Sequence, residues 1–226
     1  MAGLTAEQIF TRGGIKMDEQ KLEMYRHLNK YVKKGQILFT GSSLMEQFPI
    51  NEILTNHGID MAIYNRGISG YTIPEMLQSM EEQIFGTEPS VIFINIGTND
   101  ISREDETMDA LREDYRCVLS KIKERLPDTK VYMMAYYPVN TQVAEKVKAW
   151  PEAPLAARLR SERLADANEV VRGLAGEFGY EYIEVNDGLT DENGRLRSDL
   201  TIDGIHMWPD AYEIIFGNLR RYLTER

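Results

Sequence analysis

Cysteine is almost missing: the 226-residue chain has one, Cys117, which excludes an internal disulfide and any metal site built on several thiolates. It falls in a strongly helical stretch and is expected to be a small buried or half-buried side chain, not a catalytic thiol. Histidine is scarce too, with three residues, His27, His57 and His206. No apolar run is long enough to span a bilayer. The opening Met1-Ala2-Gly3-Leu4-Thr5-Ala6-Glu7 lacks a charged-then-apolar leader pattern, so the expected compartment is the cytoplasm. Positive charge is in deficit, 26 Lys and Arg against 36 Asp and Glu, a net −10. Such a surface repels nucleic acid and anionic membranes at long range, and neither is expected as a partner. A neutral or zwitterionic lipid stays compatible as a substrate.

The apolar fraction, 42%, is ordinary for a globular protein and suffices for a full core. Its distribution alternates between two periods. Short apolar runs predict strands at Gln36–Thr40, Met61–Asn65, Val91–Ile96, Val131–Ala135 and Tyr182–Val185. Between them, spacings of three and four predict helices. These run from Met17 to Lys33, from Ser43 towards Asn56-His57-Gly58, from Pro74, and from Met108 to Leu126. Another gathers Leu164, Ala167, Val171, Leu174 and Phe178, and the last starts at Pro209, where proline suits a first turn. Five strands joined through helices imply right-handed crossovers and an α/β fold: a three-layer α/β/α sandwich with a five-stranded parallel sheet. The least regular stretch is Asn140–Pro154, with Pro138, Pro151 and Pro154 around Trp150. No linker or repeat is visible, so residues 1–226 are read as one domain, with residues 1–35 an N-terminal helical extension packed on it.

Four polar segments punctuate this pattern. Gly41-Ser42-Ser43-Leu44, Gly67-Ile68-Ser69-Gly70 and Gly97-Thr98-Asn99-Asp100 each follow an apolar run, and Asp203-Gly204-Ile205-His206 precedes the last helix. Loops leaving the carboxyl ends of parallel strands gather on one rim, where ligands bind. Taken singly, the segments have ordinary explanations. Ser43 with Glu46, and Thr72 with Glu75, have the spacing of capping boxes, glycines form turns, and Asn99 suits a turn. His27 and His57 have no suggestive neighbours. His206 differs, because a carboxylate three residues earlier can hold one imidazole nitrogen while the other faces a hydroxyl. One His and one Asp are too few ligands for a metal. Four coincidences in one alternating chain outweigh four separate caps and turns. Ser43, Asp203 and His206 then make a nucleophile, acid and base, with the Ser43 amide and the Asn99 side chain as donors to an oxyanion.

In this order the blocks resemble those of the SGNH hydrolases, also called GDSL-type esterases and lipases, from about Gln36 to the C-terminus. Asn65–Tyr71 and Ile96–Asp100 look most like the platelet-activating-factor acetylhydrolase-like bacterial esterases. The resemblance implies a flavodoxin-like SGNH hydrolase fold, Ser43 as nucleophile, Asp203 and His206 as triad acid and base, and an oxyanion hole of Ser43, Gly70 and Asn99. It implies hydrolysis of carboxylic esters through an acyl-enzyme without metal or organic cofactor. The substrates it suggests are small acyl or acetyl esters, lysophospholipids or acetylated sugars, and the oligomeric state a homodimer. Two positions depart from the family pattern. Ser42 stands where aspartate is frequent, and Tyr71 where aspartate often follows the second-block glycine; altered loop hydrogen bonding and pocket polarity are expected. Trp208, Met207, Tyr137 and Trp150 are candidate pocket residues. A rival from another class is a non-catalytic flavodoxin-like module holding a phosphate-containing ligand at Thr40-Gly41-Ser42-Ser43. It leaves Asp203 and His206 without a use, and the loop lacks a Walker lysine.

Overall fold

Successive residues of a strand point to opposite faces of its sheet, and here both faces are buried. In the computed structural model, which describes residues 17–224, the strands are β1 (Ile37–Gly41), β2 (Ile63–Asn65), β3 (Val91–Asn95), β4 (Lys130–Met134) and β5 (Glu181–Ile183). Leu38, Ile92, Ile94, Val131 and Met133 enter one apolar cluster. Their neighbours Ile37, Phe39, Val91, Phe93, Tyr132 and Met134 enter another. Burial on both sides is why these strands read as unbroken apolar runs rather than alternating ones.

All four pairings are parallel, and the strand order is β2-β1-β3-β4-β5. Parallel neighbours need long crossovers, which the helices supply. One face is covered by α1 (Met17–Leu28), α4 (Ile73–Gln78), α5 (Met80–Gln83), α6 (Met108–Arg125) and α8 (Ala153–Phe178). The other is covered by α2 (Ser43–Glu46), α3 (Ile50–Asn56) and α9 (Pro209–Thr224), while α7 (Thr141–Ala144) packs beside the start of α8. The three-layer, five-stranded parallel architecture expected from the sequence is the one observed. Within it α1 places Tyr25 in the core and its hydroxyl donates to the Gly67 carbonyl at 2.6 Å. Of the expected N-terminal extension, residues 1–16 lie outside the described residues.

Several predicted boundaries are corrected. The first helix stops at Leu28, short of Lys33, because the Asn29 side chain is drawn into tertiary bonds: it donates to the Glu82 carbonyl and accepts from Arg66. The helix expected from Ser43 to Asn56 is two, broken at Phe48-Pro49, where proline lacks an N–H and disfavours helical backbone before it. The helix from Pro74 breaks at Ser79, whose hydroxyl takes the Glu75 carbonyl in place of the ladder. The irregular stretch before Pro154 is shorter than expected, since Asn140 caps α7 and Pro154 sits in the first turn of α8. Cys117 is exposed, not buried. The buried stripe of α6 runs through Leu111, Tyr115, Val118, Leu119 and Ile122, and Cys117 lies off it.

Candidate active site

Strand β1 has β2 on one side and β3 on the other, so the connections after β1 and β3 leave to opposite faces of the sheet. That reversal is the switch point of a doubly wound sheet, where a ligand crevice is expected at the carboxyl ends of the strands. Ser43 follows β1 directly as the first residue of α2, and Asn99 follows β3. The turn at Gly41 that delivers Ser43 has φ +153°, and a Cβ there would stand 2.0 Å from the Asn95 carbonyl oxygen. Only glycine fits.

The capping-box explanation of Ser43 does not hold. Ser42, not Ser43, is the N-cap, and its side chain caps nothing. Glu46 turns away to accept from the backbone N–H and hydroxyl of Ser69, both at 2.6 Å, and to pair with Lys21 at 2.6 Å. Burial pushes the Glu46 carboxyl up, but the bonds from Lys21 and Ser69 outweigh it and hold it below its ordinary value. The Thr72–Glu75 box does form.

The Ser43 hydroxyl, on a residue only 5% exposed, lies 3.1 Å from His206 Nε2. The other imidazole nitrogen, Nδ1, lies 2.7 Å from Asp203 Oδ2. Asp203 Oδ1 accepts the backbone N–H groups of His206 and Ile205, at 2.7 and 2.9 Å. Burial alone would raise the Asp203 carboxyl; the hydrogen bonds from the His206 ring and from these amides outweigh it and keep it below its ordinary value. An ionised carboxylate only accepts, so Nδ1 carries a proton; in the neutral imidazole Nε2 is then bare and placed to accept from the Ser43 hydroxyl. The loop holding this pair is itself fastened. Thr201 accepts the Gly204 N–H and donates to the His206 carbonyl, each at 2.8 Å, and Asn140 N–H donates to the Gly204 carbonyl at 2.7 Å.

The second and third blocks are stitched to the first. Ile68 N–H donates to the Gly41 carbonyl at 3.0 Å, and Asn99 Nδ2 donates to the Tyr71 carbonyl at 2.8 Å. The buried Asp100 carboxylate accepts the Ile73 N–H at 3.1 Å. Gly70 is exposed, with φ +81°. Among the described residues, neither the Gly70 nor the Ser43 backbone N–H donates to a protein acceptor. The fold therefore gathers all five residues named from the sequence on one rim.

Other expectations are corrected here. Met207 and Tyr137 are buried in the apolar core that packs against α9, away from solvent. Trp208 is 47% exposed, and Trp150 lies against the His206 ring with centroids 5.6 Å apart. Of the two departures, Ser42 has its hydroxyl buried without a partner, and Tyr71 is buried in the core beneath its loop. The phosphate-cradle reading loses its basis: the Thr40 and Ser42 side chains are sealed in the interior, and the Ser43 hydroxyl is engaged by His206. Among the described residues no three His, Cys, Asp or Glu side chains cluster as metal ligands, and no helix is long and apolar enough to cross a membrane.

One participant was missed from the sequence. Arg160 of α8 is buried, 4% exposed, and its guanidinium donates to Asn99 Oδ1 at 2.7 Å and to Ser102 Oγ at 2.6 Å. The signal was there. Ala153, Ala157, Arg160, Leu164, Ala167, Val171 and Leu174 follow one another at spacings of three and four, so Arg160 occupies the apolar stripe of its helix.

A serine, a histidine and an aspartate bonded in series on the rim of a doubly wound parallel sheet are the arrangement of a serine hydrolase. The family model for GDSL-like Lipase/Acylhydrolase matches residues 50–214, nearly three quarters of the chain. The chain belongs to that family. Among solved structures, a protein from Streptococcus pneumoniae provisionally described as a platelet activating factor is 29% identical, with a TM-score of 0.80 over 98% of this chain and 100% of that one. An acetylxylan esterase from Geobacillus stearothermophilus, 16% identical with a TM-score of 0.63 over 86% of this chain and 97% of its own, shares the fold. Among curated proteins, the N-acylneuraminate cytidylyltransferase of Escherichia coli O18:K1:H7 is 24% identical over 214 residues. That match takes in 88% of this chain, which spans 45% of the relative's length.

Proposed function

We propose that this protein is a serine esterase working through an acyl-enzyme on small acyl esters, acetyl esters foremost. The observation that carries the reading is the unbroken hydrogen-bond series from Ser43 through His206 to Asp203. In the proposed reaction His206 takes the Ser43 proton as the oxygen attacks the acyl carbon, and Asp203 stabilises the imidazolium. The oxyanion is received by the Ser43 and Gly70 amides and the Asn99 side chain, whose free N–H groups support that role. His206 passes its proton to the leaving alcohol, and the alcohol departs. Water then repeats the cycle and releases the acid. No metal or organic cofactor enters these steps.

A nucleophile 5% exposed favours a short acyl group, which must reach down past Trp150. The alcohol would rest outside, against the exposed Trp208 and Ile202. An acetylated sugar and a lysophospholipid differ in what they place there. Acetyl against long-chain nitrophenyl esters, then acetylated oligosaccharide against lysophospholipid, separates them. The net charge supports a small-molecule ester over nucleic acid or an anionic membrane surface as partner.

Fluorophosphonate labelling is the direct test. Wild type is expected to label and Ser43→Ala to remain unlabelled; equal labelling would remove Ser43 from the mechanism. Asp203→Asn, which permits the wrong imidazole tautomer, is expected to lower kcat by about 10⁴ with little change in KM. A loss under tenfold would show that the Asp203 contact is structural only.

A further inference from the structure

Asn99 can serve an oxyanion only if its carboxamide is fixed with nitrogen, not oxygen, towards the crevice. The structure fixes that orientation from both sides. Arg160 Nη2 approaches one end at 2.7 Å, and a guanidinium only donates, so that end is the carbonyl oxygen. The Tyr71 carbonyl approaches the other at 2.8 Å and only accepts, so that end is the NH2. One N–H of Asn99 is thereby engaged and the second remains for a ligand. The guanidinium is itself held, since its Nε donates to Ser102 Oγ and that hydroxyl donates to the Thr98 carbonyl at 2.7 Å.

A structural anchor would not need this residue type. Arg160 is buried, and among the described residues no carboxylate forms an ion pair with it, although an isolated buried charge is expensive. Burial pulls its guanidinium down to about 10, with Asp203 and Asp100 opposing, so it stays charged near neutrality. Arg163, three residues on, does the anchoring, donating to the carbonyls of Ile101 and Arg103 and leaving Asn99 untouched.

Resting on the acyl-enzyme reading above, we propose that Arg160 is the positioning residue of the oxyanion hole. It sets the rotamer of Asn99 and, through a charge-assisted bond to Oδ1, polarises the amide so that its free N–H donates more strongly. The buried positive charge also favours the negative charge that develops beside it.

The test measures nitrophenyl acetate turnover per fluorophosphonate-labelled site, which counts only folded enzyme. Loss of an oxyanion donor reduces turnover on the order of 10²–10³, and Arg160→Met, which unfixes the donor without deleting it, is expected to reduce kcat about 10- to 100-fold with KM within about twofold. In an Asn99→Ala background the same change is expected to remove less than about a further threefold, because residues acting through one another are not additive. Arg160→Lys, able to supply one donor, is expected to recover part of kcat. Arg163→Met is expected to lower Tm while keeping kcat per labelled site within about twofold of wild type. Equal losses from Arg160→Met with and without Asn99, or a loss no greater than that of Arg163→Met, would overturn the proposal. Should Arg160→Met not fold, Arg160→Lys in the two backgrounds decides by the same criterion. Wild type without Ser43-dependent labelling would instead overturn the acyl-enzyme reading itself, so the two failures are distinguishable.

Discussion

Ser43 and Glu46 have the spacing of a capping box, yet each side chain leaves the helix end for a tertiary partner. A charged bond to Lys21 and two donors from Ser69 outcompete one local backbone bond for Glu46, and His206 does the same for Ser43. Spacing was readable in both; the competitor, supplied by other parts of the chain, was not. Asp100 shows a similar conflict in its protonation. Burial raises its carboxyl from 3.8 to about 6, with the Ile73 N–H opposing and Glu106 and Asp114 adding. The folded state then keeps this proton to a higher pH than the unfolded chain. Stability from this group is greatest below 3.8, falls as pH rises to about 6, and is level above. Asp100→Asn, which cannot ionise, is expected to gain in Tm relative to wild type between pH 4 and 6 and hold that gain at pH 7. A Tm difference that is constant across the range would refute the assignment.

Among the elements, α2 is the most sensitive to displacement because it is four residues long and carries Ser43, the proposed nucleophile. Its place is set by the loop after β2, which lies directly against it. A Cβ on Gly67 would stand 2.4 Å from the Glu46 nitrogen and 2.9 Å from the Ser42 carbonyl oxygen, both backbone atoms without freedom to retreat. Gly67→Ala is expected to destabilise the protein by about 1–3 kcal/mol, as overpacking does, and to lower kcat by displacing Ser43. Urea titration alongside turnover measures both, and a variant with wild-type kcat would show that α2 is held from elsewhere. Helix α8 makes the opposite point. Its second half was legible from Leu164 onward because the stripe there is aliphatic. Its first half was not, since Pro154 reads as a breaker, the stripe residues Ala153 and Ala157 are small, and the next is Arg160. A charged residue on an otherwise apolar stripe hides the helix that carries it.

For the whole molecule, the strand order β2-β1-β3-β4-β5 decides where the candidate site lies. The winding reverses at β1, and the blocks after β1 and β3 fall on either side of that point. The net charge of −10 acts over the same scale. It is expected to oppose the approach of anionic substrates, so kcat/KM for an anionic ester should rise with added salt while that for a neutral ester of the same acyl group stays within about twofold. A fall for the anionic ester would indicate a positive field at the crevice mouth.

The sequence by itself determined the alternation of strands and helices, and hence the parallel sheet, because a strand buried on both faces must be apolar throughout. It also marked Ser43, Asn99, Asp203 and His206, and through the family resemblance Gly70, because glycine turns and polar residues gather where the backbone leaves the core. Only the tertiary structure decided which hydroxyl meets the imidazole, which way the Asn99 amide faces, and that Arg160 holds it. Those are contacts between residues far apart in the chain, 163 positions for Ser43 and His206 and 61 for Asn99 and Arg160, and local spacing carries no record of them.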